Sequence, residues 1–123
     1  MTKQHKQPCR ACPWRRDNQA PGWLGNSTPG EFLQQSDAGI RMPCHEAVDY
    51  ERADWEQQAA EAPQCAGRAI HLSNRCQHVE PGILKLPADH KLVFTRPHEF
   101  IAHHTNVDPA TLEQTMIFDL YNL

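Results

Sequence analysis

Two cysteines three residues apart constrain this chain more than any other feature. They lie in Pro8-Cys9-Arg10-Ala11-Cys12-Pro13-Trp14-Arg15-Arg16, almost at the N-terminus. A tight turn can point both sulfurs the same way, with Pro13 fixing φ just after it. Two further cysteines stand far downstream, Cys44 in Met42-Pro43-Cys44-His45 and Cys65 in Gln64-Cys65-Ala66-Gly67. The order C-x2-C-x31-C-x20-C suits a four-thiolate metal site, whose last two ligands can come from anywhere in a chain. Either of two cofactors fits: Zn²⁺, which a short chain with little cover from solvent favours, or a [4Fe–4S] cluster, which also needs four thiolates. Five cysteines is an odd number that does not suit a closed set of disulfides.

Composition makes a metal useful. Leu, Ile, Val and Phe number only 22 of 123 residues, and ten prolines add loops that bury little. With a net charge of −3, disorder is not expected. A thin core is expected instead, and this is where a metal supplies stability that packing lacks. Structural zinc contributes roughly 10–16 kcal/mol in finger peptides, against about 5–15 kcal/mol for the net stability of a domain.

Charge is uneven. Residues 1–16 carry Lys3, Lys6, Arg10, Arg15 and Arg16 and no acid, whereas residues 17–66 carry nine acids against Arg41 and Arg52. The basic arm either packs on the acidic middle of its own chain or contacts nucleic acid or another anionic partner. The N-terminus is polar, with no secretory pattern, and no apolar run suits a membrane span. A cytoplasmic protein with reduced cysteines and no membrane partner is expected.

The expected fold is mainly α with at most a small hairpin: a flexible basic lead-in over residues 1–8, then one irregular domain over 9–123 built around the four cysteines. Trp23 is expected to anchor the loop over 17–27. Thr28-Pro29-Gly30-Glu31 combines a cap, a first-turn proline and a capping-box acid, which predicts a helix over 29–37. Further helices are predicted over 49–61, 64–74, from Arg96-Pro97 through His104, and from Asp108-Pro109 through Leu120. Cys65 then falls at a helix N-terminus, where the dipole favours a thiolate. Residues 91–94 are the best strand candidate, with 83–86 as the expected partner.

Around the four cysteines, Trp14 can shield the site and His45 can stand beside it. Arg15 either offsets the negative charge of four thiolates or is simply an exposed arginine. Cys76 is read as the spare thiol, and Cys76 and His78 as alternative ligands. Catalysis has little support. Cys65 with His71 is the sole nucleophile–base candidate, and six residues put the two on different helical faces. His103 and His104, as neighbours, point to different sides. No glycine-rich phosphate loop, H-E-x-x-H or G-x-S-x-G occurs.

At residues 8–16, at Met42-Pro43-Cys44-His45 and at Cys65-Ala66-Gly67, the chain resembles a family of small uncharacterised proteins of bacteriophages, prophages and actinobacteria. Their signature is C-x2-C-P-[WY]-R, then C-H, then C-A-G. The resemblance implies that Cys9, Cys12, Cys44 and Cys65 form the common site, with Trp14, Arg15, His45 and Gly67 around it. It carries no activity. The expectation is a metal-stabilised, non-enzymatic binding module acting on a host protein or nucleic acid, with an iron–sulfur redox or sensing protein as the alternative.

Overall fold

The computed structural model describes residues 5–77 and 81–123, and of His45 the backbone alone. The α-helices are α1 (Pro29–Asp37), α2 (Trp55–Glu61), α3 (Ala66–Asn74), α4 (Pro97–Thr105), α5 (Pro109–Leu112) and α6 (Ile117–Leu120), with a 3-10 turn at His45–Ala47. Among the described residues there is no strand, only isolated bridges.

Helix α1 forms as its start signals dictate. Thr28 Oγ1 accepts from Glu31 N at 3.1 Å, and Glu31 Oε1 accepts from Thr28 N at 3.2 Å. Helix α4 uses Glu99 in the same way, accepting from Arg96 N at 2.8 Å and Thr95 N at 3.1 Å, and Asn106 at φ +59 ends it. α4 packs against α1, α5 and α6.

Trp14 is the centre of the core, fully buried. Its ring stacks on Phe100 (4.2 Å between centroids) and His71 (4.7 Å), with Phe32 at 5.6 Å. One aromatic from the cysteine turn thus joins α1, α3 and α4.

Several expectations change. The 91–94 segment pairs with the N-terminal segment instead of 83–86: Val93 bridges Arg15, Phe94 N donates to Trp14 O at 3.2 Å, and Arg16 N donates to Leu92 O at 2.9 Å. The partner lies about eighty positions away, beyond what local pattern reveals. The helix predicted from residue 49 begins only at Trp55, after a run of turns. The last helix is split into α5 and α6 because Met116 is extended (ψ 149). The break turns Ile117, Leu120 and Tyr121 onto the core and leaves Met116 exposed. Trp23 does not anchor its loop in the core; it is 53% exposed, and Leu24 is the buried residue there. No helix is long and apolar enough to cross a membrane among the described residues.

Candidate functional site

Two backbone pairings set the cysteines two by two. In the N-terminal turn, Cys12 N donates to Cys9 O at 3.1 Å. Asn18, buried, holds that turn from below by donating to Cys12 O at 3.2 Å and Ala11 O at 3.3 Å. On the other side, residues 42–44 run antiparallel to 63–65. Cys44 N donates to Pro63 O and Cys65 N to Met42 O, both at 2.8 Å. That register puts Cys44 and Cys65 on the same face. The sulfurs of Cys12 and Cys65 stand 3.8 Å apart.

The thiols form a chain of contacts, Cys44 to Cys9 to Cys12 to Cys65. Bonds from the thiols of Cys12 and Cys44 pull Cys9 down to about 3. The Cys12 thiol pulls Cys65 down as well. Burial, then the bond to Cys65, raises Cys12; the bond to Cys9, then burial, raises Cys44. The shifts run in opposite directions at neighbouring cysteines, Cys9 and Cys65 down and Cys12 and Cys44 up, because each S–H bonds the sulfur next to it. As they stand, no three His, Cys, Asp or Glu side chains among the described residues are grouped closely enough to hold a metal ion.

Arg68 N–H donates to Cys65 Sγ at 3.5 Å. The nearby N–H groups of Ala11, Trp14, Glu46 and Gly67 weigh toward the thiolate forms of Cys9, Cys12, Cys44 and Cys65. Cys65 is the N-cap of α3, so the helix's first free N–H groups face its sulfur, as expected from the dipole.

Gly67 explains how Cys12 fits. A Cβ there would lie 2.3 Å from Cys12 Sγ and 3.0 Å from Trp14 Cβ. Only the bare backbone of α3 lets the sulfur approach. Trp14 backs the turn as the core's centre. Arg15 is paired with Asp17 (2.7 Å), whose bond raises its pKa, with smaller contributions from the charges of Cys12 and Cys9. Cys76 is exposed, at φ +55, beyond the C-terminal end of α3 and so at the opposite end from Cys65. His45 opens the 3-10 turn directly after Cys44, and His78 lies outside the described residues.

Four supporting residues lie outside the set the sequence assigns to the site. Glu46 Oε1 accepts from Ala11 N at 3.2 Å, joining the Cys44 turn to the Cys9 turn. Arg68 is buried, donates to Ser36 Oγ and O at 3.1 and 2.6 Å, and feels the Cys65 charge. His104, also buried, accepts from Gly22 N at 2.8 Å through Nδ1, so its Nε2 donates to Pro13 O at 2.8 Å. Arg16 belongs to the fold and not to a free arm, donating to Glu99 Oε2 at 2.7 Å, Thr95 Oγ1 at 2.8 Å and His90 O at 2.8 Å. Arg68 alone could have been suspected, one turn after a helix-capping cysteine; the others depend on contacts 35 to 91 positions apart.

His71 is buried against Trp14, and its Nδ1 donates to Phe94 O at 2.6 Å. The nucleophile–base pair considered for Cys65 is not assembled. No family model, curated protein or solved structure matches the chain.

Proposed function

We propose that Cys9, Cys12, Cys44 and Cys65 bind one Zn²⁺ ion and that the chain is a metal-stabilised, non-enzymatic binding module. The observation that carries this reading is the seat at Gly67, where the missing Cβ lets Cys12 Sγ come to 3.8 Å from Cys65 Sγ, itself accepting from Arg68 N–H at 3.5 Å. An N–H at a helix N-terminus stabilises negative charge on sulfur. The donor set is soft, and anionic once its thiols are deprotonated, which suits zinc. The ion would supply no reaction, only a tie between the N-terminal turn, the Cys44 turn and α3. Cys12, Cys44 and Cys65 are buried, which denies them to a substrate.

The 3.8 Å separation of Cys12 and Cys65 also supports a single ion. Zn–S bonds near 2.3 Å in a tetrahedron place sulfurs about 3.8 Å apart, a spacing that an S–H···S contact shares. A [4Fe–4S] cluster puts each thiolate on a different iron, so its sulfurs stand wider. The phage or prophage setting suggested by the sequence signature would make the partner a host protein or nucleic acid. Pairing of Arg15 and Arg16 within the chain weighs toward protein.

Anaerobic purification with elemental analysis and an absorption spectrum tests the reading. One zinc per chain in a colourless protein is expected. Cys44→Ser and Cys65→Ser lose the ion and fold poorly, while Cys76→Ser keeps both. A folded chain without metal after growth in zinc and iron overturns it, and a brown protein bleached by dithionite replaces zinc with a cluster.

A further inference from the structure

We propose that the groove between α1 and the Tyr50–Trp55 pair is the docking surface of this module, and that its occupant is a basic amphipathic peptide segment of a partner protein. The groove encloses about 420 Å³, within the roughly 300–1,000 Å³ of sites that enclose small ligands. Its floor is made by buried Leu24, Phe32 and Met42, and its rim by Ile40, Tyr50 and Trp55, exposed to 55, 47 and 39%. The Tyr50 and Trp55 rings stand 5.6 Å apart and tilted by 43°. An apolar floor under an aromatic rim receives the apolar face of a peptide, and Trp and Tyr are the side chains that most often dominate such contacts.

Charge selects the occupant. The segment 46–61, which supplies Tyr50 and Trp55 to the rim, carries six acids and one base, a net of −5. The base, Arg52, is itself paired with Asp54 at 2.9 Å. The cation in the groove lining, Arg41, donates to the carbonyls Ala59 O at 2.7 Å and Ala62 O at the end of α2 and keeps its charge, so the surroundings of the groove sum to −4. Glu51 and Glu56 are exposed beside the two aromatics. Lysines or arginines flanking apolar anchors would meet carboxylates and ring faces together. The same segment repels nucleic acid and anionic membranes.

The inference rests on the binding-module reading in one respect: Met42 and Pro43 line the groove and lead straight to Cys44, so the metal would hold that wall in place. The two are separated by measuring zinc content in the samples used for binding. The probes are a short amphipathic leucine–lysine peptide and its leucine–glutamate counterpart, titrated into the full chain by calorimetry at low and moderate salt. The lysine peptide is expected to bind, more weakly as salt rises, and the glutamate peptide not to bind. Trp55→Ala, on a helix with no buried residues, and the double reversal Glu51→Lys/Glu56→Lys are each expected to lower affinity about tenfold. Zinc content should be unchanged in both. Equal binding of both peptides, no binding by a zinc-loaded chain, or variants that bind like the parent overturn the inference. So does self-association of the chain lost with Trp55→Ala, which would assign the groove to a second copy. Zinc-free, folded protein that still binds the lysine peptide sinks the metal reading alone.

Discussion

Replacing Gly67 by alanine separates a sulfur seat from an ordinary helix. At an exposed interior helix position, glycine to alanine stabilises by about 1 kcal/mol. Here the new methyl lies 2.3 Å from Cys12 Sγ and 3.0 Å from Trp14 Cβ. The sulfur distance is about 1 Å short of ordinary contact, and Cys12 is fully buried with Cys65 on one side and the core tryptophan on the other. Overpacking of this kind costs about 1–3 kcal/mol and pushes the sulfur away from its neighbours. The net expectation is destabilisation, a fall in Tm on the order of 5–10 °C, together with loss of zinc. Gly30→Ala is the control. Its Cβ would strike the Tyr121 carbonyl at 2.3 Å, so it loosens the C-terminus and should leave zinc bound. Thermal unfolding by circular dichroism and zinc analysis of both variants decide the matter. A Gly67→Ala protein that melts at or above the parent's Tm with full zinc would refute the seat.

Other predictions test the frame around the site. Asp37 takes Arg75 at 2.5 Å and the Tyr121 hydroxyl at 2.6 Å, with both charged side chains only 14% exposed. Asp37→Ala should therefore lower stability by about 2–3 kcal/mol, whereas Arg52→Ala, in a pair exposed to 63 and 47%, should change it by less than about 0.5 kcal/mol; urea midpoints that move equally would contradict this. Burial holds His71 down to about 4, below its ordinary 6.5. The unfolded chain then takes a proton that the folded one refuses, so this histidine's contribution is present above pH 6.5 and is lost as pH falls toward 4, by up to about 1.4 kcal/mol per pH unit. His71→Leu should flatten the acid side of the urea-midpoint profile by one proton's worth, and an unchanged slope would count against it. Arg16→Ala removes three hydrogen bonds to residues 90–99. It should lower Tm without altering any binding to DNA at low salt, and a selective loss of DNA binding would restore the free-arm reading.

Local chemistry was legible in the sequence, and long-range pairing was not. Thr28, Pro29 and Glu31 state a helix start within four residues, and α1 begins at Pro29 as they require. Cys65 was readable as a helix terminus, and the structure makes it the N-cap of α3. The role of Gly67 was visible only as proximity to a cysteine, since no spacing rule says which sulfur will lean on a helix backbone. The pairing of Val93 with Arg15 was hidden because a short apolar run names its strand-like shape and not its neighbour. Trp23 and Leu24 show the same limit: adjacent apolar residues compete for one inward position, and the smaller one took it.

The bridge between Arg15 and Val93 has a consequence for synthesis. The cysteine turn leaves the ribosome some eighty residues before the segments that clasp it, residues 92–94 and His104. At about 5–20 residues per second, Cys9 and Cys12 wait on the order of ten seconds as open thiols on a nascent chain. Until Cys44 and Cys65 follow, an ion captured by the pair would have only half its proposed ligands, and an oxidant would meet a bare dithiol.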